Sequence, residues 1–126
     1  MSKTILVIDD DDVIRELVKH CLARDDYNVI AVADGSSGVE KFEAEKPDLV
    51  VLDIAMPEMS GFEVAQTMRA IEKRENYSHT PIIILTAYAR RFFLSAGGDA
   101  EIDSYLTKPI TSEQLLARVH QFLGDG

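Results

Sequence analysis

Two short runs, Ile5-Leu6-Val7-Ile8 and Leu49-Val50-Val51-Leu52, are apolar at every position, and each runs into an aspartate, Asp9 and Asp53. A strand with one wet face alternates apolar and polar residues, so an unbroken run marks a strand covered on both faces. A third run, Ile82-Ile83-Ile84-Leu85, follows Pro81 and ends in Thr86. Helical patterns lie between them. Ile14, Leu17, Val18, Cys21 and Leu22 recur at the spacing of one inward helix face. Tyr27 to Val32 is rich in β-formers, and Asp34-Gly35-Ser36-Ser37 supplies turn and cap chemistry for a helix that carries Val39 and Phe42 and stops at Pro47. Phe62, Ala65, Met68 and Ile71 mark the next helix, which gives way to a polar stretch from Glu72 to Thr80. Arg90 to Ala96 is expected as a short helix before Gly97-Gly98, and Ser104 to Thr107 as the fifth strand. Thr111-Ser112-Glu113-Gln114 has the spacing of a capping box and opens a last helix with Leu115, Leu116, Val119, Phe122 and Leu123 inside.

Strands alternating with helices in this way build parallel βαβ units with right-handed crossovers, hence a doubly wound α/β domain. At 126 residues one such domain accounts for the whole chain, 1–126, with no output domain; it either acts through a partner or is cut from a longer protein. In a doubly wound sheet, ligands bind beyond the carboxyl ends of the strands. Asp9, Asp10, Asp53, Thr86 and, just after the fifth strand, Lys108 are all expected at that rim.

A net charge of −9 disfavours direct binding to nucleic acid or to an anionic membrane, both polyanions. No stretch approaches the ~20 apolar residues of a membrane span, and Met1-Ser2-Lys3 leads into no cleavage-site pattern, so the expected location is the cytoplasm. Cys21 is the only cysteine, which excludes an internal disulfide and fits a small core residue. His20, His79 and His120 lack the spacing of a metal site or a triad and are expected at the surface.

The run Asp9-Asp10-Asp11-Asp12 places like charges together where a buried strand ends. Two carboxylates about 4 Å apart repel by roughly 4 kcal/mol at an effective dielectric of ~20, so the cluster calls for a cation. Helix capping accounts for Asp11 or Asp12 but not for Asp9, Asp10 and Asp53 at the ends of separate strands. A calcium loop starting at Asp9 fails, because its sixth position would be Ile14 and its twelfth His20. Few hard oxygen ligands suit Mg²⁺, which keeps several waters. Beside such a metal, Asp53 can attack phosphorus, and the acyl phosphate formed would be neutralised by the metal and Lys108 and hydrogen-bonded by the Thr86 hydroxyl.

Ile5 to Asp11, Pro47 to Gly61, Thr86-Ala87 and Tyr105-Leu106-Thr107-Lys108-Pro109 together resemble the CheY-like response regulator receiver domain of two-component signalling, over essentially the whole chain. The resemblance implies a five-stranded parallel sheet in the order 2-1-3-4-5. It implies Asp53 as phosphoacceptor and metal ligand, Asp10 as direct Mg²⁺ ligand, Asp9 assisting largely through water, and the backbone carbonyl of Ala55 completing the set, with Mn²⁺ a substitute metal. Lys108, Thr86 and Ala87 would bind the phosphoryl group, Lys108–Pro109 would be a cis peptide, and Thr86 with Tyr105 would form the switch pair. The implied donor is a sensor histidine kinase or histidine phosphotransfer protein, and the implied effector docks on the face of the fourth helix, fifth strand and last helix. Two features depart from the family's pattern: Glu72 to Thr80 is a few residues long, and Ala100-Glu101-Ile102 stands where Ala-Gly-Ala is usual. With Gly97-Gly98 early, the fourth helix is expected to be short, and one of Phe92 and Phe93 to face outward. Tyr88 and Ala55 are expected to flank the entry of attacking water.

Two rivals remain. A haloacid-dehalogenase-type phosphatase would use Asp9 as nucleophile, but its acidic motif should follow Lys108, whereas Gly98-Asp99 and Asp103 precede it, and Asp53 would have no role. A phosphorylation-independent interaction module would not require Asp10, Asp53 and Lys108 together.

Overall fold

A computed structural model of the chain describes residues 2–54, 56, 59–87 and 102–124. Its elements run β1 (Thr4–Ile8), α1 (Asp12–Arg24), β2 (Asn28–Val32), α2 (Gly35–Glu45), β3 (Leu49–Asp53), α3 (Gly61–Glu75), β4 (Ile82–Thr86), β5 (Ser104–Thr107) and a last helix, here α4 (Ser112–Leu123). The helix expected within Arg90–Ala96, with Phe92, Phe93, Gly97 and Gly98, lies outside the described residues, as do Ala55 and Tyr88. All strand pairings are parallel, in the order β2-β1-β3-β4-β5.

The unbroken apolar runs are explained by two cores. Along each strand alternate residues point to opposite faces. Ile5, Val7, Leu49, Val51, Ile83 and Leu85 pack under α1 and α4 against Val18, Cys21, Leu22, Leu115 and Val119. Leu6, Ile8, Val50, Leu52, Ile82 and Ile84 pack under α2 and α3 against Phe42, Val64, Ala65, Met68 and Ile71. Neither face could become polar without burying an unpaired group. The chain leaves β1 toward β2 on one side and returns to β3 on the other, so the strand order reverses between β1 and β3, where a crevice opens beyond their carboxyl ends.

Two expectations need correction. Leu17 does not join the inward stripe of α1; it is 62% exposed, because Val18, Cys21 and Leu22 define the buried direction and Leu17 sits roughly 100° away from Val18 around the helix. With Val13, one turn earlier and 67% exposed, it forms an outward apolar pair. Second, the polar stretch does not begin at Glu72. Helix α3 continues to Glu75 and is closed by Asn76 in the left-handed conformation. Glu72 is buried because Arg69, one turn before it, is buried too, and the two pair at 2.9 Å.

That pair is the hub of a clasp at the end of the sheet remote from the acidic rim. Arg69 also donates to the Thr80 carbonyl and lies 3.0 Å from Asp103, while Glu72 accepts the Thr80 N–H and Asp103 accepts that of Ile82. His79 Nε2 lies 2.8 Å from the other Asp103 oxygen. The α3–β4 connection is thus tied to the residue that leads into β5. Of the other histidines His20 is exposed, whereas His120 is half-buried and lies 2.6 Å from Asp25, joining α4 to the end of α1. Replacing Arg69 with Met leaves the buried Glu72 and the half-buried Asp103 without the guanidinium and is expected to lower the unfolding free energy by about 3–5 kcal/mol. Urea denaturation followed by circular dichroism measures the loss.

Candidate metal and phosphoryl site

Four separated segments meet beyond the carboxyl ends of β1, β3, β4 and β5. Asp9 follows β1 and is 1% exposed; Asp53 ends β3 and is 5% exposed; Asp10 is exposed at the mouth. These three carboxylates each offer a ligand atom, all within 4.8 Å of one another. Lys108, after β5, reaches Asp53 Oδ1 at 3.2 Å and Asp9 Oδ2 at 3.4 Å. Both distances exceed the ~2.7–2.9 Å of a dedicated ionic hydrogen bond, as expected of one ammonium shared between two carboxylates. Thr86 ends β4 and is buried, its carbonyl accepting the Lys108 N–H at 2.8 Å, and Ala87 is exposed in the turn beyond it. Tyr105 is half-buried on β5. The Lys108–Pro109 peptide is cis.

Local chemistry holds this arrangement. Members of the acidic run differ in what they bind, and Asp11 is the N-cap of α1, its side chain accepting the N–H groups of Val13 and Ile14. Asp9 Oδ1 accepts the Asp11 N–H at 2.9 Å, so one buried carboxylate faces both a backbone donor and Lys108. Behind Asp53 stands the start of α3. A Cβ on Gly61 would lie 2.7 Å from the Asp53 carbonyl oxygen and 2.8 Å from Ile54 Cα, so only glycine lets α3 approach this closely. Ser60 then caps the helix in a reciprocal box with Glu63.

Arg15 was not anticipated from the sequence. Its guanidinium donates to the Asp9 carbonyl at 2.9 Å and pairs with Asp12 at 2.5 Å, within the acidic rim. The Asp12 to Arg15 spacing of a helical ion pair was the available signal, but it predicts only a solvated surface contact.

The donors fit a small hard cation. Six-coordinate Mg²⁺ with bonds of about 2.1 Å puts opposite ligands roughly 4.2 Å apart, so carboxylate oxygens spread over 4.8 Å close around it with sub-ångström shifts. An aspartate triad without histidine or thiolate also matches the ligand preference of that metal class.

A family model for the response regulator receiver domain matches residues 5–120. The chain belongs to the response regulator receiver domain family. A receiver of this kind is a signalling module of two-component systems. Over 123 residues the chain is 38% identical to the alkaline phosphatase synthesis transcriptional regulatory protein PhoP of Bacillus subtilis, covering 98% of this chain and 49% of PhoP. It therefore spans about half the length of the curated relatives it matches. Among solved structures, the Vibrio cholerae chemotaxis protein CheY4 superposes with a TM-score of 0.87 at 30% identity, over 97% of this chain and 99% of that one. The receiver domain of sensor histidine kinase PA1611 from Pseudomonas aeruginosa, which carries a magnesium ion coordinated in its active-site cleft, gives 0.83 at 28% identity, over 98% and 99%.

Lys108 in this receiver is subject to opposed effects. Burial alone would lower its pKa, but the coulombic pull and hydrogen bonds of Asp53 and Asp9 prevail, and the net shift is upward from 10.5. Folded protein thus holds this proton more tightly than the unfolded chain, so the stabilisation is complete below pH 10.5 and disappears as pH rises through the folded value. In metal-free buffer, the stability difference between wild type and Lys108→Met is expected to stay constant at pH values well below 10.5 and to shrink only as pH rises above 10.5, which paired urea melts would detect.

Proposed function

We propose that this receiver accepts a phosphoryl group from a phosphohistidine onto Asp53, in a Mg²⁺-dependent reaction, and that the charge added there switches a partner-binding surface. The observation that carries this reading is the meeting of Asp53 with Lys108 at 3.2 Å beside the ligand atoms of Asp9 and Asp10. The donor is a sensor histidine kinase or a histidine phosphotransfer protein, the location is cytoplasmic, and the receiver itself contacts neither nucleic acid nor membrane.

An Asp53 carboxylate oxygen attacks phosphorus in line; a P–O bond forms, the P–N bond to the imidazole breaks, and its electron pair returns to the ring. Lys108 moves from the two carboxylates to the incoming phosphoryl oxygens, where the added charge of up to about two units is greater. Asp9, Asp10 and Asp53, with the carbonyl of Ala55, would hold Mg²⁺, and Mn²⁺ could replace it. When bound, the metal would supply neutralisation of the negative phosphoryl oxygens. Thr86 donates its hydroxyl to the phosphoryl group and Ala87 lies against it. The movement of Thr86 makes room for the Tyr105 ring to turn inward, which remodels the surface of β5, α4 and the segment between β4 and β5. Hydrolysis resets the state slowly, making the receiver a switch rather than a turnover enzyme.

A protein donor has to bring its histidine to the same rim. The exposed pair Val13 and Leu17 begins one helical turn from Asp10 and offers it an apolar contact. Leu17→Glu is expected to slow transfer from a phosphorylated histidine protein about tenfold or more while leaving labelling by acetyl phosphate unchanged. Measuring both rates with radiolabelled donors separates docking from chemistry.

Acetyl phosphate with Mg²⁺ also tests the function itself. Label on Asp53, lost in Asp53→Asn and on removal of metal, is the expected outcome. Label on Asp9 would favour the phosphatase reading, and no label the inert interaction module; either rejects the proposal.

A further inference from the structure

Arg15 places a cation inside a site that must attract one, and phosphotransfer onto Asp53 does not require it. Its two amino groups are both engaged, one on the backbone carbonyl of Asp9 at 2.9 Å and the other on the Asp12 carboxylate at 2.5 Å. The side chain is only 17% exposed although it belongs to the first turns of α1. Simple coulombic reasoning makes this arrangement adverse to a divalent ion.

The backbone contact explains it. Asp10, unlike Asp9 and Asp53, is exposed, and among the described residues none of the hydrogen bonds that fix this turn ends on its carboxylate. Where Asp10 points is therefore decided by the two peptide units that flank it. The Asp9 carbonyl and the Asp10 N–H belong to one rigid plane. Arg15 holds that plane by its oxygen, and Asp9 Oδ1 holds the next one by the Asp11 N–H at 2.9 Å. Asp12 meanwhile offsets the guanidinium charge, which reduces its repulsion of a bound metal.

We infer that Arg15 is a positioning residue for the divalent cation: by fixing the Asp9–Asp10 peptide, it aims the exposed Asp10 carboxylate into the site. This rests on the Mg²⁺ reading above. Groups that orient metal ligands from outside the coordination sphere commonly account for a 10–100-fold change in metal affinity.

Charge and position predict opposite signs. If Arg15 acted only as a nearby cation, Arg15→Met would tighten Mg²⁺ binding. As a positioning group, its loss should weaken binding about tenfold. Arg15→Lys keeps the charge but cannot span both partners, and it should weaken binding as well, though less. Titration calorimetry with MgCl₂ gives the affinities, with melting temperature in metal-free buffer as the control for folding. Labelling of Asp53 by acetyl phosphate should recover in both variants at saturating Mg²⁺. Unchanged or tighter binding in Arg15→Met, or wild-type affinity in Arg15→Lys, would overturn the inference; if Arg15→Met does not fold, the Lys variant decides alone. If wild type shows no saturable Mg²⁺ binding, the metal reading itself fails and this role with it, a result distinct from a change confined to the variants.

Discussion

Like charge gathered at one rim is the constraint around which this receiver is built. Asp9, Asp10 and Asp53 bring their ligand atoms within 4.8 Å, and carboxylates at such separations repel by several kcal/mol unless a cation intervenes. Lys108 supplies an ammonium at 3.2 Å and 3.4 Å from two of the three. In the proposed function, a divalent ion would add what the lysine cannot reach, and a phosphoryl group would give the ammonium a stronger partner than either carboxylate. Each state of the proposed switch would thus be a different answer to the same electrostatic problem.

The sheet makes the gathering unavoidable. Parallel strands all point their carboxyl ends one way, and register pairs Asp53 with Leu85 and Thr86 with Thr107, so the residues that end or follow each strand share a rim. Two dry cores fix the strands against slippage, because a shift of one residue would exchange every inward side chain. At the opposite end, the clasp of Arg69, Glu72, His79 and Asp103 ties α3 to the entries of β4 and β5. The end of the sheet opposite the site is therefore held by an ionic network centred on the buried Arg69–Glu72 pair.

Much of this was legible in the sequence, because the determining signals were local. Unbroken apolar runs announced strands buried on both faces, and an aspartate or threonine closing each run announced the rim. Caps were legible for the same reason: Asp11, Asp34 and Thr111 all act within three residues of themselves. What escaped notice depended on contacts between distant segments. Glu72 reads as a polar loop residue until Arg69 and Thr80 are seen around it. Leu17 fits an inward stripe by spacing alone, and only the packing of Val18, Cys21 and Leu22 shows which way the helix faces. Arg15 carries no special mark in the sequence, since its decisive partner is a backbone oxygen.

Paramagnetic titration with Mn²⁺ probes the central claim most directly, because broadening of nuclear resonances reports distance to the bound ion. Substoichiometric Mn²⁺ should broaden the amides around Asp9, Asp10, Asp53, Ala87 and Lys108 together, and excess Mg²⁺ should restore them. Broadening scattered over the acidic surface, or confined to one segment and indifferent to Mg²⁺, would contradict a single cation site assembled from separate strand ends.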